Sequence, residues 1–199
     1  MKIGLVVAMD GELKNVIDYN KCELLEGEPF KVYKIVGLQN ECYAIISGIG
    51  KINAAMATTY IVLKYQVEKV VNFGVCGATL DAFLQDKVVC IDKVFNNDFD
   101  LSAIDGDGWQ KNNLCLATEN DSSKFPLYTA DHFTVSSDVS GYFDMEGFAV
   151  ASVCDNLGIS CELLKSVTDI IDSKKQSQEY YCNYDSACNL LKTEIEKII

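Results

Sequence analysis

The sequence predicts an α/β fold: one domain over residues 1–199, with helices packed on both sides of a sheet. Three observations carry this expectation. Short Val- and Ile-rich runs recur along the chain, as at residues 3–8, 42–47 and 69–73. Between them lie stretches with apolar residues three and four apart, the spacing of an amphipathic helix. The 199 residues include only 2 prolines and no linker-like segment, enough chain for one well-buried core and too little for two.

The elements follow in order. Residues 3–8 read as a buried strand, short and apolar. Residues 31–36 and 42–47 read as two more, joined by a hairpin turn at Leu38-Gln39-Asn40-Glu41. Past Gly48-Ile49-Gly50, the stripe Ile52, Ala55, Met56, Thr59 and Leu63 predicts an amphipathic helix. Residues 69–73 predict a strand ending in a turn at Gly74-Val75-Cys76-Gly77, and residues 87–95 one further apolar run. Residues 96–131 are polar and irregular, which predicts loops with short strands. Residues 146–157 predict a helix closed by Gly158, in the usual place past a helix C-terminus. Residues 160–168 predict a strand, and residues 176–198 a helix with Ala187, Leu190, Leu191, Ile195 and Ile198 on one face.

Composition narrows the function. Hydrophobic residues make up 49% and charged residues 23%, the balance of an ordinary soluble globule. The net charge is −12, and all 17 basic residues are Lys. A nucleic-acid partner calls for a basic face, so none is expected. Without Arg the chain also lacks the bidentate fork that most often clamps phosphate. The nine Cys show no paired spacing, which points to reduced, buried thiols in a cytoplasmic protein. A single His, His132, excludes a His-rich metal site. The apolar run at Ile3–Ala8 is too short for a signal sequence or a membrane span, and no membrane partner is expected.

In α/β folds ligands bind at the carboxyl ends of strands. Here those ends carry Asp10 and Glu12, Gly48-Ile49-Gly50, Asn72 to Gly77, and Asp169 with Asp172, while Glu146 opens a helix. The two glycine elements lack the full spacing of a P-loop or a dinucleotide fingerprint and read as tight turns. Each carboxylate alone reads better as a helix cap or a solvated turn; their joint placement points to a site.

Residues in family order then carry a resemblance. They are Ala8-Met9-Asp10-Gly11-Glu12, Ser47-Gly48-Ile49-Gly50-Lys51-Ile52-Asn53, Asn72-Phe73-Gly74-Val75-Cys76-Gly77, Asn97-Asp98-Phe99-Asp100, Asp144-Met145-Glu146-Gly147 and Ser166-Val167-Thr168-Asp169-Ile170-Ile171-Asp172. The chain resembles the nucleoside phosphorylase superfamily, and within it the methylthioadenosine/S-adenosylhomocysteine nucleosidases. The resemblance implies a mixed central sheet, a homodimer, no cofactor, and a small-molecule nucleoside as substrate. It implies that Asp169 protonates a purine, Glu12 activates the attacking water and Glu146 binds the ribose hydroxyls. Met145 packs beneath the ribose, and Ile49, Cys76, Gly77 and Lys165 join the substrate site. Lys165 stands where these nucleosidases carry an Arg. Hydrolysis is therefore expected over phosphorolysis; a phosphorylase and a nucleoside-binding protein with weak catalysis are the alternatives. The segment between Ser136-Ser137-Asp138 and Asp144 is shorter than in the family, which leaves Tyr142 or Phe143 to stack on the base or fill the core. Ile104 and Trp109 are candidates to cover the 5′ substituent.

Overall fold

A computed structural model of the chain describes residues 1–100, 112–117 and 123–199. It opens with β1 (Lys2–Val7) and α1 (Asp10–Val16), followed by β2 (Cys22–Glu26), β3 (Lys31–Ile35) and β4 (Glu41–Ile46). Then come α2 (Lys51–Tyr65), β5 (Lys69–Ala78), α3 (Leu80–Gln85), β6 (Val88–Ile91), β7 (Lys93–Asn96) and β8 (Asn113–Cys115). The chain finishes with β9 (Leu127–Thr129), β10 (Tyr142–Asp144), α4 (Gly147–Leu157), β11 (Ser160–Ile170) and α5 (Gln176–Ile198).

The sheet is mixed. Strands β4, β1, β5 and β11 run parallel, so their carboxyl ends share one edge. The β2–β3–β4 meander and the β6–β11 pair are antiparallel. Strand β5 holds the sheet together: its first residues pair with β1, its last two with β10, and its other side with β11. Helices cover both faces. On β1, Ile3, Leu5 and Val7 meet Leu13 of α1 and Leu191 and Ile195 of α5, whereas Val6 joins the core under α2 and α4. A strand buried on both faces needs no polar alternation, which is why β1 reads as one apolar run.

Several expectations change. Gly74 to Gly77 lie inside β5, not in a turn after it. The run at 87–95 is two strands broken at Asp92. The stripe expected to bury α2 points outward: Ile52, Met56 and Leu63 are 75%, 57% and 64% exposed. The buried face is Ala54, Ala57, Thr58, Ile61 and Val62. Small residues let α2 approach α4 closely, so apolar side chains remain for both faces and periodicity alone cannot choose between them. On α5, Leu190 is likewise exposed while Ala187, Leu191 and Ile195 are buried.

Candidate active site

The shared carboxyl edge of β1, β4, β5 and β11 opens into a cavity of about 300 Å³. Glu12, Glu146 and Asp169 all line it, together with Ile49, Cys76, Gly77 and Met145. The other strand-end acids turn away: Asp10 pairs with Lys14 and the Tyr19 hydroxyl, and Asp172 is exposed.

Glu12 sits in the first turn of α1 and is buried. Its Oε2 accepts the Met9 N–H at 3.0 Å, the reaching-back half of a capping box. Its Oε1 accepts the Val75 N–H at 3.0 Å. Each carboxylate oxygen keeps a lone pair beyond these bonds. Burial pushes its pKa up, against the backbone N–H donors and the nearby Lys165 cation. Gly74 leaves room for this carboxylate: a Cβ added there would lie 2.5 Å from Glu12 Oε1. Gly74→Ala is therefore expected to displace Glu12 and to cost about 1–3 kcal/mol as an overpacking change. Denaturant unfolding measures this, and an unchanged midpoint would contradict the packing.

Glu146 occupies the cap position of α4 but makes no capping bond. Asp144 does that work, its Oδ2 accepting the Gly147 N–H at 2.8 Å. The Glu146 side chain is thus free to face the cavity, held by the Gly50 N–H to Oε1 at 2.9 Å. Gly50 adopts φ +97°, a left-handed conformation that glycine reaches without strain, and this aims its N–H at the carboxylate. Burial, then the neighbouring Asp144 charge, pushes the Glu146 pKa up to about 7.

Asp169 owes its direction to an irregularity. Along β11, Val167 pairs with Cys76 and Asp169 with Gly77, so Thr168 is an extra residue, a β-bulge. Bulges re-aim side chains, and here consecutive Thr168 and Asp169 both reach the cavity. Thr168 Oγ1 donates to Asp169 Oδ1 at 2.6 Å and Gln176 Nε2 to Oδ2 at 2.8 Å. Burial raises the Asp169 pKa; these two donors oppose the shift and the Glu179 charge adds to it.

Lys165 is placed differently from the expectation. It is 1% exposed and lies behind the wall rather than on it. Its Nζ is 2.8 Å from Asp144 Oδ2 and donates to Asn72 Oδ1 at 2.8 Å. Burial disfavours this cation, but the charges of Asp144, Glu146 and Glu12 outweigh that and raise its pKa. Lys165 therefore balances a carboxylate cluster from behind. A point charge on a flexible stem can retreat to a buried partner, which removes it from ligand contact.

The aromatic wall was only partly legible. Phe143 lines the cavity and stacks on Tyr128, but Tyr142 is fully buried and its hydroxyl donates to Ala82 O at 3.2 Å. Tyr142 is a core residue. Phe133, Tyr180 and Tyr181 complete the wall, with Phe133 and Tyr180 in edge contact at 5.9 Å. The signal for Phe133 is its place just past β9, where the strand-end rule applies as it does to longer strands. The signal for the two tyrosines is their place in the first turns of α5, next in the chain after Asp169. Ile104 and Trp109 lie outside the described residues.

Comparison with known proteins gives the family and the fold. The family model of the phosphorylase superfamily matches residues 2–138. The 5′-methylthioadenosine/S-adenosylhomocysteine nucleosidase of Bacillus cytotoxicus is 28% identical over 201 residues, covering 85% of this chain and 86% of its own. That of Buchnera aphidicola subsp. Schizaphis graminum is 25% identical over 208 residues, covering 89% and 87%. Among solved structures, futalosine hydrolase of Helicobacter pylori superposes with a TM-score of 0.87 at 20% identity, over 98% of this chain and 96% of that one. The S. pneumoniae nucleosidase bound to a transition-state inhibitor gives a TM-score of 0.80 at 20% identity, over 95% and 94%. At such identities the structural likeness shows a shared fold.

Proposed function

The chain belongs to the phosphorylase superfamily, and from that premise we propose that it hydrolyses the N-glycosidic bond of a purine nucleoside of the methylthioadenosine type. The observation that carries this reading is the convergence of Glu12, Glu146 and Asp169 on one cavity. Breaking the bond leaves positive charge on the sugar and negative charge on the base. Asp169 gives its proton to N7 of the purine, so the base leaves neutral. Glu146 accepts hydrogen bonds from the ribose hydroxyls, and its charge favours the cation-like sugar. Glu12 takes a proton from water as the water oxygen bonds to the anomeric carbon. The products are free base and free sugar, and proton exchange with solvent restores both carboxyls. Phe133, 44% exposed and on the same wall as Asp169, offers a ring face for the base.

The sign of the wall supports water over phosphate. Among the described residues the cavity is lined by Glu12, Asp144, Glu146 and Asp169 and by no Lys or His. An anionic nucleophile would find no cation on this wall and would enter against the carboxylates of Glu12 and Glu146, and a 5′ carboxylate would meet the same repulsion. The testing experiment incubates the protein with a panel of purine and pyrimidine nucleosides that differ at the 5′ carbon and detects free base. Preference for 5′-methylthioadenosine over a 5′-carboxylated nucleoside is expected; the reverse preference, or no release from any, would overturn the reading.

This chemistry has a pH signature. Glu146 acts as a carboxylate and titrates at about 7, so kcat/KM should rise with pH through that region. Glu146→Gln should lower activity and remove this limb. A limb that persists in Glu146→Gln would belong to another group.

A homodimer forms part of the same reading. The outward face of α2, with Met56 and Leu63 beside Phe30, forms an apolar groove of the sort that a second copy covers. Sedimentation of the wild-type chain as a dimer is expected, with Leu63→Glu shifting it to monomer. A monomeric wild type would remove this part of the reading.

A further inference from the structure

One stripe of α5 grips the strand end that carries Asp169. Gln176, Glu179 and Asn183 stand at i, i+3 and i+7, on one helix face. Asn183 Nδ2 donates to the Thr168 carbonyl at 2.8 Å, and Glu179 Oε2 accepts the Ile170 N–H at 3.2 Å. These two satisfy backbone groups on either side of Asp169, where the bulge disturbs the ladder.

Gln176 differs because it touches the carboxyl itself. Its Nε2 donates to Asp169 Oδ2 at 2.8 Å and to the Thr134 carbonyl at 2.8 Å. A backbone carbonyl can only accept. The buried amide is therefore locked with its nitrogen toward both groups, since turning Oε1 toward Asp169 would set it against the Thr134 oxygen. The partner of the other carboxyl oxygen is reversible. Thr168 Oγ1 lies 2.6 Å from Asp169 Oδ1 and 3.2 Å from the Cys76 carbonyl, with one hydrogen to give to either. With a proton on Oδ1, that hydrogen turns to Cys76 and the hydroxyl oxygen can accept. A proton on Oδ2 would face an N–H that cannot turn away.

We propose that Gln176 is a positioning residue that keeps the transferable proton of Asp169 on Oδ1 and, through the Thr134 carbonyl, ties the acid to the Phe133 segment. The inference rests on the reading of Asp169 as the acid. Other charged and titratable groups stand nearby: Glu179 and Tyr180 of α5, Cys76 of β5, Asp144 of β10, and His132 in the loop after β9. Burial holds Tyr180 and Cys76 neutral. The comparison must therefore isolate Gln176 from a general loosening of α5.

Gln176→Ala and Asn183→Ala provide that comparison, because Asn183 belongs to the same stripe but does not touch the carboxyl. The first readout is the 13C shift of the Asp169 carboxyl through a pH titration, which needs no turnover. Gln176→Ala, having lost a donor to the carboxylate, should titrate at higher pH than wild type; Asn183→Ala should titrate with wild type. The second readout is kinetic: in Gln176→Ala, kcat should fall by up to about 100-fold and KM should rise as Phe133 loses its tether. Equal midpoints in wild type and Gln176→Ala overturn the inference, as does an equal shift in Asn183→Ala. If Gln176→Ala fails to fold, Gln176→Glu keeps the side-chain volume, removes the fixed donor and should move the midpoint the same way. A wild-type protein that releases no base overturns the proposed function, while the titration still decides whether Gln176 donates to the Asp169 carboxyl.

Discussion

Asp169→Asn should lower turnover by about 10²–10⁴-fold while leaving the protein folded. The substitution removes the transferable proton and nearly nothing else. The amide oxygen can accept from Gln176 Nε2, and the amide nitrogen can donate to Thr168 Oγ1, whose hydrogen then turns to the Cys76 carbonyl. The bulge at Thr168 and the α5 contacts around it need no carboxylate on Asp169. Near-wild-type melting together with a large loss in kcat is the expected pair of results. Near-wild-type kcat would sink the acid assignment, whatever the melting temperature.

Lys165→Met should produce the largest loss of stability, about 3–5 kcal/mol, as expected when one partner of a buried ion pair is removed. Lys165 and Asp144 are both buried, so solvent screening gives little relief. Asp144 keeps the Thr129 hydroxyl at 2.6 Å and the Gly147 N–H at 2.8 Å, but no cation. In a chain of this size the loss corresponds to a fall in Tm of about 6–20 °C. Its pH dependence has a definite sign. Lys165 lowers the pKa of Glu12 and Glu146, which burial has already raised. Without Lys165 both rise further, so the folded state binds more protons than the unfolded one above the ordinary carboxylate pKa. Stability of Lys165→Met should therefore fall as pH rises from about 4.5 through 7. Urea unfolding at several pH values measures this; a variant as stable as wild type across that range would contradict the role of Lys165 as the cluster's counter-charge.

The parts of the fold that carry the site are legible in the sequence for a physical reason. Strands β1, β4, β5 and β11 are buried and parallel, so they appear as apolar runs, and their carboxyl ends can be located by counting. That places Glu12 and Asp169 at one edge; Glu146, which opens α4 just after β10, joins them only through the resemblance. Strand β10 has only three residues and belongs to the sheet through its pairing with β5 and β9, which no local pattern records. The bulge at Thr168 is a matter of register between β11 and β5, and it decides where Asp169 points. The retreat of Lys165 depends on Asp144 and Asn72, distant in the chain from it and from each other. Phe133 is not marked by the sequence because the shortened segment, between Asp138 and Asp144, lies downstream of the strand end that presents it. The outward face of α2 could not be told from the inward one because the helix is apolar on both.

The central claim is that this cavity splits a nucleoside with water. Its most direct test supplies 5′-methylthioadenosine to the purified wild-type protein, with and without inorganic phosphate, and identifies both products. Stoichiometric adenine and free methylthioribose, unchanged by phosphate, are predicted. A sugar 1-phosphate that forms only when phosphate is present, or ligand-induced stabilisation with no base released, would contradict the account.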